Sequence, residues 1–129
     1  MVKAIEPKVI SIDGSRATLY LSWRVYRISL TRACIILLGR PERVKLLLSS
    51  DYKSIAIQAA TEVDRDSFPV PQYVYRRSGR FRLSSMVLVT SIWQAMAWDY
   101  AENYLVNGTY DEVKNIVKFD LTSATNERL

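Results

Sequence analysis

The sequence predicts an α+β fold made of two β-α-β-β units, the first of which follows an extra N-terminal hairpin. Two observations carry this prediction. The element order strand, short helix and two strands is predicted twice along the chain, and "YRISL" at 26–30 is matched by "FRLSS" at 81–85. The composition, 49% apolar and 24% charged, is typical of a folded globular protein with a real core.

The first hairpin is predicted by Asp13-Gly14, a dipeptide that supplies the positive φ angles of a tight turn. We expect its strands at about 8–12 and 17–29. Apolar side chains alternate along the second strand, but the alternation changes phase near Val25 and Tyr26. A bulge or a sharp bend is therefore expected at that point.

The first helix is expected between Thr31, a predicted N-cap, and Gly39, with Pro41 unable to continue it. Residues 33–38, "ACIILL", are apolar on every side. A helix without a polar face must be buried over most of its circumference. We therefore expect a second copy of the unit to cover it.

Two strands, "RVKLLLSS" and "KSIAIQAA", complete the first unit, residues 1–60. Residues 61–79 hold prolines and clustered charges without a sustained period, which predicts a linker arm. The second unit, 80–129, either stands alone or forms one compact domain with the first. Its hairpin is predicted at Asn107-Gly108, between "ENYLVNG" and "NIVKFDL".

The second helix is predicted by apolar residues at helical spacing. Its expected buried face comprises Met86, Val89, Ile92, Trp93 and Met96.

Most catalytic and cofactor chemistry lacks its residues in this chain. There is no histidine, and Cys34 is the single cysteine, so catalytic triads and zinc or iron-sulfur sites have too few ligands. No glycine-rich phosphate loop is present. The acidic pairs at 64 and 66 and at 111 and 112 lie in polar loops, where solvated turns are the expected structure. We predict no catalytic residues, no metal and no cofactor.

The charge is unevenly distributed. Residues 1–60 hold ten basic against four acidic side chains, a net +6, whereas residues 83–129 hold three against six, a net −3. This asymmetry indicates an anionic partner, and double-stranded DNA is the commonest one for a small basic domain. No apolar run is long enough to span a membrane. The single Cys34 cannot form an internal disulfide, which fits a reducing cytoplasm.

"RISLTRACIILLGRPERVKLLL", residues 27–48, resembles the AbrB-like swapped-hairpin family of bacterial transcription factors and antitoxins. The family pattern is Arg, aliphatic, variable, aliphatic, Pro, a short helix, Leu-Gly and a strand of the type V-x-φ. The matching residues are Arg27, Ile28, Leu30, Leu38, Gly39 and Val44. Thr31 replaces the family's proline, and Ile35 and Ile36 stand where many members carry basic residues.

The resemblance implies that two hairpin units interlock into one or more small β-barrels, within one chain or across a homodimer. It also implies a noncatalytic transcriptional regulator that occupies an operator. Arginines in the corner between strand and helix would approach the DNA, and their neighbours would add phosphate contacts. The corner residues are Arg24, Arg27 and Arg32, and the neighbours are Arg16, Arg40 and Arg43.

The alternative is a protein-interaction module, an antitoxin-like or mobile-element accessory protein without DNA binding. The apolar helix in place of basic DNA-reading residues and the irregular arm favour this alternative. The arm residues expected to contact a partner are Tyr73, Tyr75, Arg76 and Arg77.

Overall fold

The computed structural model describes residues 11–12 and 15–127. The helices in this range are α1 (Arg32–Leu37) and α2 (Met86–Met96), with short 3-10 turns at Gln72–Tyr75 and Leu121–Ser123. The strands are β1 (Ser11–Ile12), β2 (Ser15–Arg16), β3 (Thr18–Ser22), β4 (Arg27–Thr31), β5 (Arg43–Leu48), β6 (Ser54–Ala60), β7 (Phe68–Pro69), β8 (Arg80–Ser84), β9 (Asn103–Asn107), β10 (Thr109–Asp111), β11 (Ile116–Asp120) and β12 (Thr125–Glu127).

Ten of these strands form two antiparallel sheets of five strands each. Sheet I has the order β10-β11-β6-β5-β7, and sheet II has the order β12-β9-β3-β4-β8. The remaining two, β1 and β2, pair with each other. The predicted α+β class is confirmed at this level. The proposed turn at 13–14 and the strand residues 8–10 lie outside the described residues.

The two predicted units pair with each other inside one chain. Strand β4 of the first unit pairs with β8 of the second, β3 pairs with β9, and β6 pairs with β11. Buried side chains from both sheets and both helices belong to one apolar cluster. The halves therefore share a core, which is the compact alternative that the sequence left open.

Sheet II has an apolar inner face, which packs on the core, and a polar outer face. Leu19, Leu30 and Phe81 lie opposite one another on three adjacent strands and are buried. The next row of side chains across the same three strands is Tyr20, Ser29 and Arg82, of which Arg82 is exposed. Successive side chains on a strand point to opposite faces, so the outer face carries the polar set.

The strand predicted over 17–29 is in fact two strands. A turn at residues 23–26 separates β3 from β4, and the Tyr26 N–H donates to the Trp23 carbonyl at 3.2 Å. Tyr26 has a φ of +49°, a left-handed conformation that closes the turn. The change of phase near Val25 and Tyr26 marked a hairpin turn, and the expectation of a bulge or bend in one strand was wrong.

Helix α1 begins and ends where the sequence predicted, with Thr31 before it and Gly39, at a φ of +93°, after it. Ala33, Cys34 and Ile35 are buried. The helix contacts β2, β4 and the 3-10 turn at 72–75 of the same chain. Its apolar surface is therefore covered to a large extent without a second protein molecule.

The second unit follows its prediction in the helix and departs from it in two places. Ser85 caps α2 by accepting a hydrogen bond from the Leu88 N–H at 3.2 Å, and Val89, Ile92 and Trp93 are buried. Met86, predicted on this face, is 60% exposed, because it lies in the first turn, at the open end of the helix.

The dipeptide Asn107-Gly108 is not a hairpin turn. Strand β9 belongs to sheet II and β10 to sheet I, so Gly108 is the point at which the chain crosses between the sheets. A Cβ atom there would lie 2.6 Å from Phe119 Cε1. Glycine is required by this close approach, and the predicted hairpin lies instead between β10 and β11.

The arm, 61–79, is irregular over most of its length, as predicted, but it packs on the core. Strand β7 pairs with β5, and Val70 and Val74 are buried. Among the described residues, none of the helices is long and apolar enough to cross a membrane.

Candidate anion-binding site

Arginine side chains gather on the outer face of sheet II, along its β4–β8 edge. Arg27 is paired with Ser84, and Arg82 with Ser29, and both arginines are exposed. Arg80 is paired with Thr31 on the same face. We call Arg27, Arg80 and Arg82 the arginine face.

A concave pocket of about 250 Å³ lies at one end of this face. Strands β2, β3, β4 and β8, the first residue of α1 and the end of the arm contribute to it. Its lining comprises Arg16, Thr18, Tyr20, Thr31, Arg32, Ser78, Gly79 and Arg80. Three arginines and several hydroxyl-bearing residues thus line one cavity, and no acidic residue is among these lining residues. We call this cavity the arginine pocket.

Each arginine of the pocket has a support from another element. The guanidinium carbon of Arg80 lies 4.3 Å from the centre of the Tyr20 ring. Arg32 Nη1 donates to the Tyr75 carbonyl at 3.4 Å. The Arg16 carbonyl accepts a hydrogen bond from Thr31 Oγ1 at 2.8 Å. These contacts fix the backbone or the guanidinium of each arginine before any ligand arrives.

The side chain of Thr31 joins two neighbouring strand segments of the pocket and does not cap α1. Its Oγ1 accepts from the Thr18 N–H at 3.0 Å while donating to the Arg16 carbonyl, and no side-chain cap bond is formed. This one hydroxyl ties the strands that carry Arg16 and Thr18 to the start of the helix that carries Arg32.

The end of the arm closes the pocket through an unusual backbone. Ser78 has a φ of +63°. The Gly79 N–H donates to the Arg76 carbonyl at 2.8 Å, and a Cβ atom at Gly79 would lie 2.4 Å from the Val74 carbonyl oxygen. The 3-10 turn and the first strand residue of β8 can approach each other this closely because residue 79 has no side chain.

The six predicted DNA-contacting arginines do not form one cluster. Arg16 and Arg32 line the pocket, and Arg27 lies on the arginine face. Arg24 is exposed in the β3–β4 turn, at the end of the hairpin away from the pocket.

The other two predicted arginines contact the arm. Arg40 lies over the Tyr75 ring at 5.3 Å from its centre. Arg43 donates from Nε to Ser67 Oγ at 2.7 Å and from Nη2 to the Ser67 carbonyl at 2.9 Å, so its guanidinium holds the β6–β7 loop.

The predicted partner residues of the arm divide into exposed and packed groups. Tyr73, Arg76 and Arg77 are exposed. The Tyr75 hydroxyl donates to the Pro41 carbonyl at 2.8 Å. Burial raises the pKa of Tyr75, and the nearby Arg40 opposes that rise. Tyr75 therefore attaches the arm to the chain after α1, and the exposed residues are the ones available to a partner.

Two arginines of the site were missed in the sequence, namely Arg80 and Arg82. The signal was present in "RFRLS", where arginines alternate with the buried Phe81 and the half-buried Leu83. Alternation of charged and apolar residues is typical of a strand with one solvent-facing side. That reading places both arginines on the outer face of the sheet.

Two further titratable groups, Cys34 and Asp64, have shifted pKa values that the fold itself explains. Burial raises the pKa of the Cys34 thiol to about 12, so the thiol stays protonated and unreactive at neutral pH. A hydrogen bond from the Thr61 N–H, with Lys45 3.6 Å away, lowers the pKa of Asp64. Within 11–12 and 15–127, no cluster of three or more metal-ligating side chains occurs.

Comparisons of the chain with protein-family models, with curated proteins and with solved structures gave no match.

Proposed function

We propose that this protein is a noncatalytic, DNA-binding transcriptional regulator of the AbrB-like kind, which acts in the cytoplasm as a homodimer on double-stranded DNA. The observation that carries the proposal is the arginine face with the arginine pocket at its end. Three arginines lie on β4 and β8 at one edge of sheet II, and two more, on β2 and at the start of α1, line the pocket at the end of that face.

The dimensions of this surface suit a nucleic-acid backbone. Arg27 and Arg32 bound strand β4, and five residues of extended chain span about 16 Å. A DNA strand carries one phosphate per about 3.4 Å of helix axis, so several phosphates fit along that length. Arginine is suited to them because its planar fork donates two parallel hydrogen bonds to phosphate oxygens.

The AbrB-like relationship is supported by the motif at 27–48 and by the way the halves interlock. Strands β4 and β8, which carry the matching sequences of the two units, pair with each other, and so do β6 and β11. Two interlocked units in one chain would replace the exchange of hairpins between two molecules. A small barrel of this kind is the finer form of the α+β fold that we propose.

A protein-interaction module is the second candidate, favoured by exposed apolar side chains along the arm. Phe68 and Tyr73 are 38% and 47% exposed, and Val63 is 88% exposed. A partner chain seated on the arm would cover them. Under this alternative the arginines of sheet II would be solvated surface charges without a role in binding.

The test is a titration of the protein into a fluorescent random-sequence duplex at two salt concentrations, with two double variants. The first, Arg27→Gln with Arg82→Gln, removes two charges from the arginine face. The control, Arg65→Gln with Lys114→Gln, removes two charges from exposed loops beside sheet I. Both doubles change the net charge equally, so a long-range effect of charge would appear in both.

We expect the affinity of the wild type to fall steeply with salt, and the face variant to reduce that slope by roughly 0.9 for each lost phosphate contact. The control should keep the wild-type slope. Equal losses in both variants, or no binding at low salt, would contradict the proposal. A partner that copurifies with the protein and is lost on substitution of Phe68 and Tyr73 by Ser would favour the second candidate.

A further inference from the structure

We propose that the arginine pocket is a discrete phosphate-binding site, which seats one phosphate group of the DNA backbone while the arginine face contacts its neighbours. The inference rests on the proposed function for the source of the phosphate. Its physical basis, a cavity lined by three arginines, is independent of that function.

The three arginines come from separate elements and line one concave space. Arg16 ends β2, Arg32 begins α1 and Arg80 begins β8. A guanidinium donates two parallel hydrogen bonds to phosphate oxygens, so arginines on the wall of one cavity suit that anion. The Arg80 guanidinium carbon lies 4.3 Å from the centre of the Tyr20 ring, a cation–π contact that leaves the guanidinium N–H groups able to donate.

The size of the cavity admits a phosphate group. Its volume of about 250 Å³ is many times the ~10–15 Å³ that a single water molecule needs on the same measure. One phosphate therefore fits inside, with room for part of the attached sugar.

The hydroxyl groups of the lining have different roles. Thr31 Oγ1 already bonds the Arg16 carbonyl and the Thr18 N–H, so its role is to position Arg16. Ser78 is exposed at the rim, next to Gly79. Thr18 Oγ1 donates to Asn107 Oδ1 at 3.1 Å, and Tyr20 supports Arg80 with its ring. We therefore assign the Ser78 hydroxyl to a ligand oxygen.

The pocket also explains the close packing of the arm's last residues. Gly79 brings the β8 end of the arm within contact of the Val74 and Tyr73 carbonyls. This approach sets Ser78 and Arg80 on the rim of the same cavity as Arg16, which is far away in sequence.

The experiment measures inorganic phosphate binding by the full chain, at constant ionic strength, from the NMR signals of the arginine Nε–Hε groups. The variant Arg80→Gln removes one guanidinium of the pocket, and Arg65→Gln is the control with the same change of charge. We expect saturable phosphate binding in wild type and control, shifts centred on Arg16, Arg32 and Arg80, and affinity at least tenfold weaker in Arg80→Gln. Absence of saturable binding, or equal loss in both variants, overturns the inference.

Two further additions identify the source of the phosphate. A random-sequence duplex that displaces inorganic phosphate supports the assignment to the DNA backbone. A nucleoside monophosphate that displaces it where the duplex does not overturns that assignment. The two proposals fail separately. The pocket alone is refuted if Arg80→Gln binds the duplex as the wild type does while the Arg27→Gln, Arg82→Gln double variant does not bind it. The proposed function is refuted if the protein binds phosphate saturably but does not bind the duplex.

Discussion

The guanidinium of Arg80 lies over the ring of Tyr20, with 4.3 Å between the guanidinium carbon and the ring centre, although the two residues belong to strands that are not neighbours. Strand β4 lies between β3 and β8 in sheet II. The Arg80 side chain therefore reaches across β4 on the outer face. This contact holds the positive charge at the mouth of the arginine pocket.

Replacement of Tyr20 by Leu is expected to weaken phosphate and DNA binding by about two- to fivefold, because a cation–π contact at such a site contributes about 0.5–1 kcal/mol. Tyr20→Phe keeps the ring and should bind almost as the wild type does. Fluorescence anisotropy with the labelled duplex measures both variants. If Tyr20→Phe loses as much affinity as Tyr20→Leu, the hydroxyl and not the ring supports the site.

The elements that sequence reasoning placed correctly are those with local signals. Thr31 and Gly39 bounded α1, and two runs of strand-forming residues joined by a turn gave β5 and β6. The turn at 23–26 was missed because it contains no glycine, proline or Asn-Gly pair, and Tyr26 supplies the positive φ instead. The position of this turn depends on the packing of Trp23 and Tyr26 against the core, which the sequence alone does not show.

The site was harder to predict than the elements, because it depends on long-range pairing. Arg80 lines the same pocket as Arg16 because β8 pairs with β4, and this pairing forms only when the two halves join. The charge bias of the first 60 residues indicated an anionic partner but could not add Arg80 or Arg82 from the second half. Gly108 shows the same limit, since its role depends on the side chain of Phe119.

Substitution of Thr31 by Val is expected to destabilise the fold and the pocket together. Valine keeps the shape of threonine but loses the bonds to the Arg16 carbonyl and the Thr18 N–H. Thr18 is buried, and an unpaired buried donor costs about 1–3 kcal/mol. Urea unfolding should show a loss of that size for Thr31→Val. Thr31→Ser, which keeps the hydroxyl, should lose less than about half of it, and equal losses would argue against the hydrogen bonds.

Replacement of Gly79 by Ala should disrupt the rim of the pocket. The new Cβ atom would lie 2.4 Å from the Val74 carbonyl oxygen and 2.5 Å from that of Tyr73, and neither carbonyl is a flexible side-chain end. We expect a destabilisation of about 1–3 kcal/mol, typical of overpacking, together with weaker phosphate binding. Urea unfolding and the phosphate titration measure the two effects.

Ser78→Gly is the matched variant for Gly79→Ala. It removes the side chain from a residue whose φ is +63°, a conformation that costs an ordinary residue about 1–2 kcal/mol and glycine almost nothing. Its unfolding free energy should equal or exceed that of the wild type, although its phosphate affinity should fall with the hydroxyl. A Gly79→Ala protein as stable as Ser78→Gly would mean that the arm does not pack as closely as described.

The thiol of Cys34 makes the stability of the fold sensitive to alkaline pH. Burial raises its pKa from 9.0 to about 12, against opposing hydrogen bonds with Thr31 and the Thr18 carbonyl. The protonated thiol is the form that fits the core, so its contribution to stability is complete below pH 9. Above pH 9 the unfolded chain ionises first, and the contribution is lost progressively until the folded pKa is reached.

The variant Cys34→Ala isolates this contribution from the tyrosines and lysines that also titrate at alkaline pH. From pH 9 to 10.5 the wild type should lose about 1–2 kcal/mol more unfolding free energy than Cys34→Ala, because each pH unit inside the window is worth about 1.4 kcal/mol. Urea unfolding at several pH values measures the difference, and a thiol reagent at pH 8 should modify the native protein only as it unfolds. A difference that stays constant over this range, with rapid modification of the native protein, would mean that Cys34 is ionised and accessible in the folded chain.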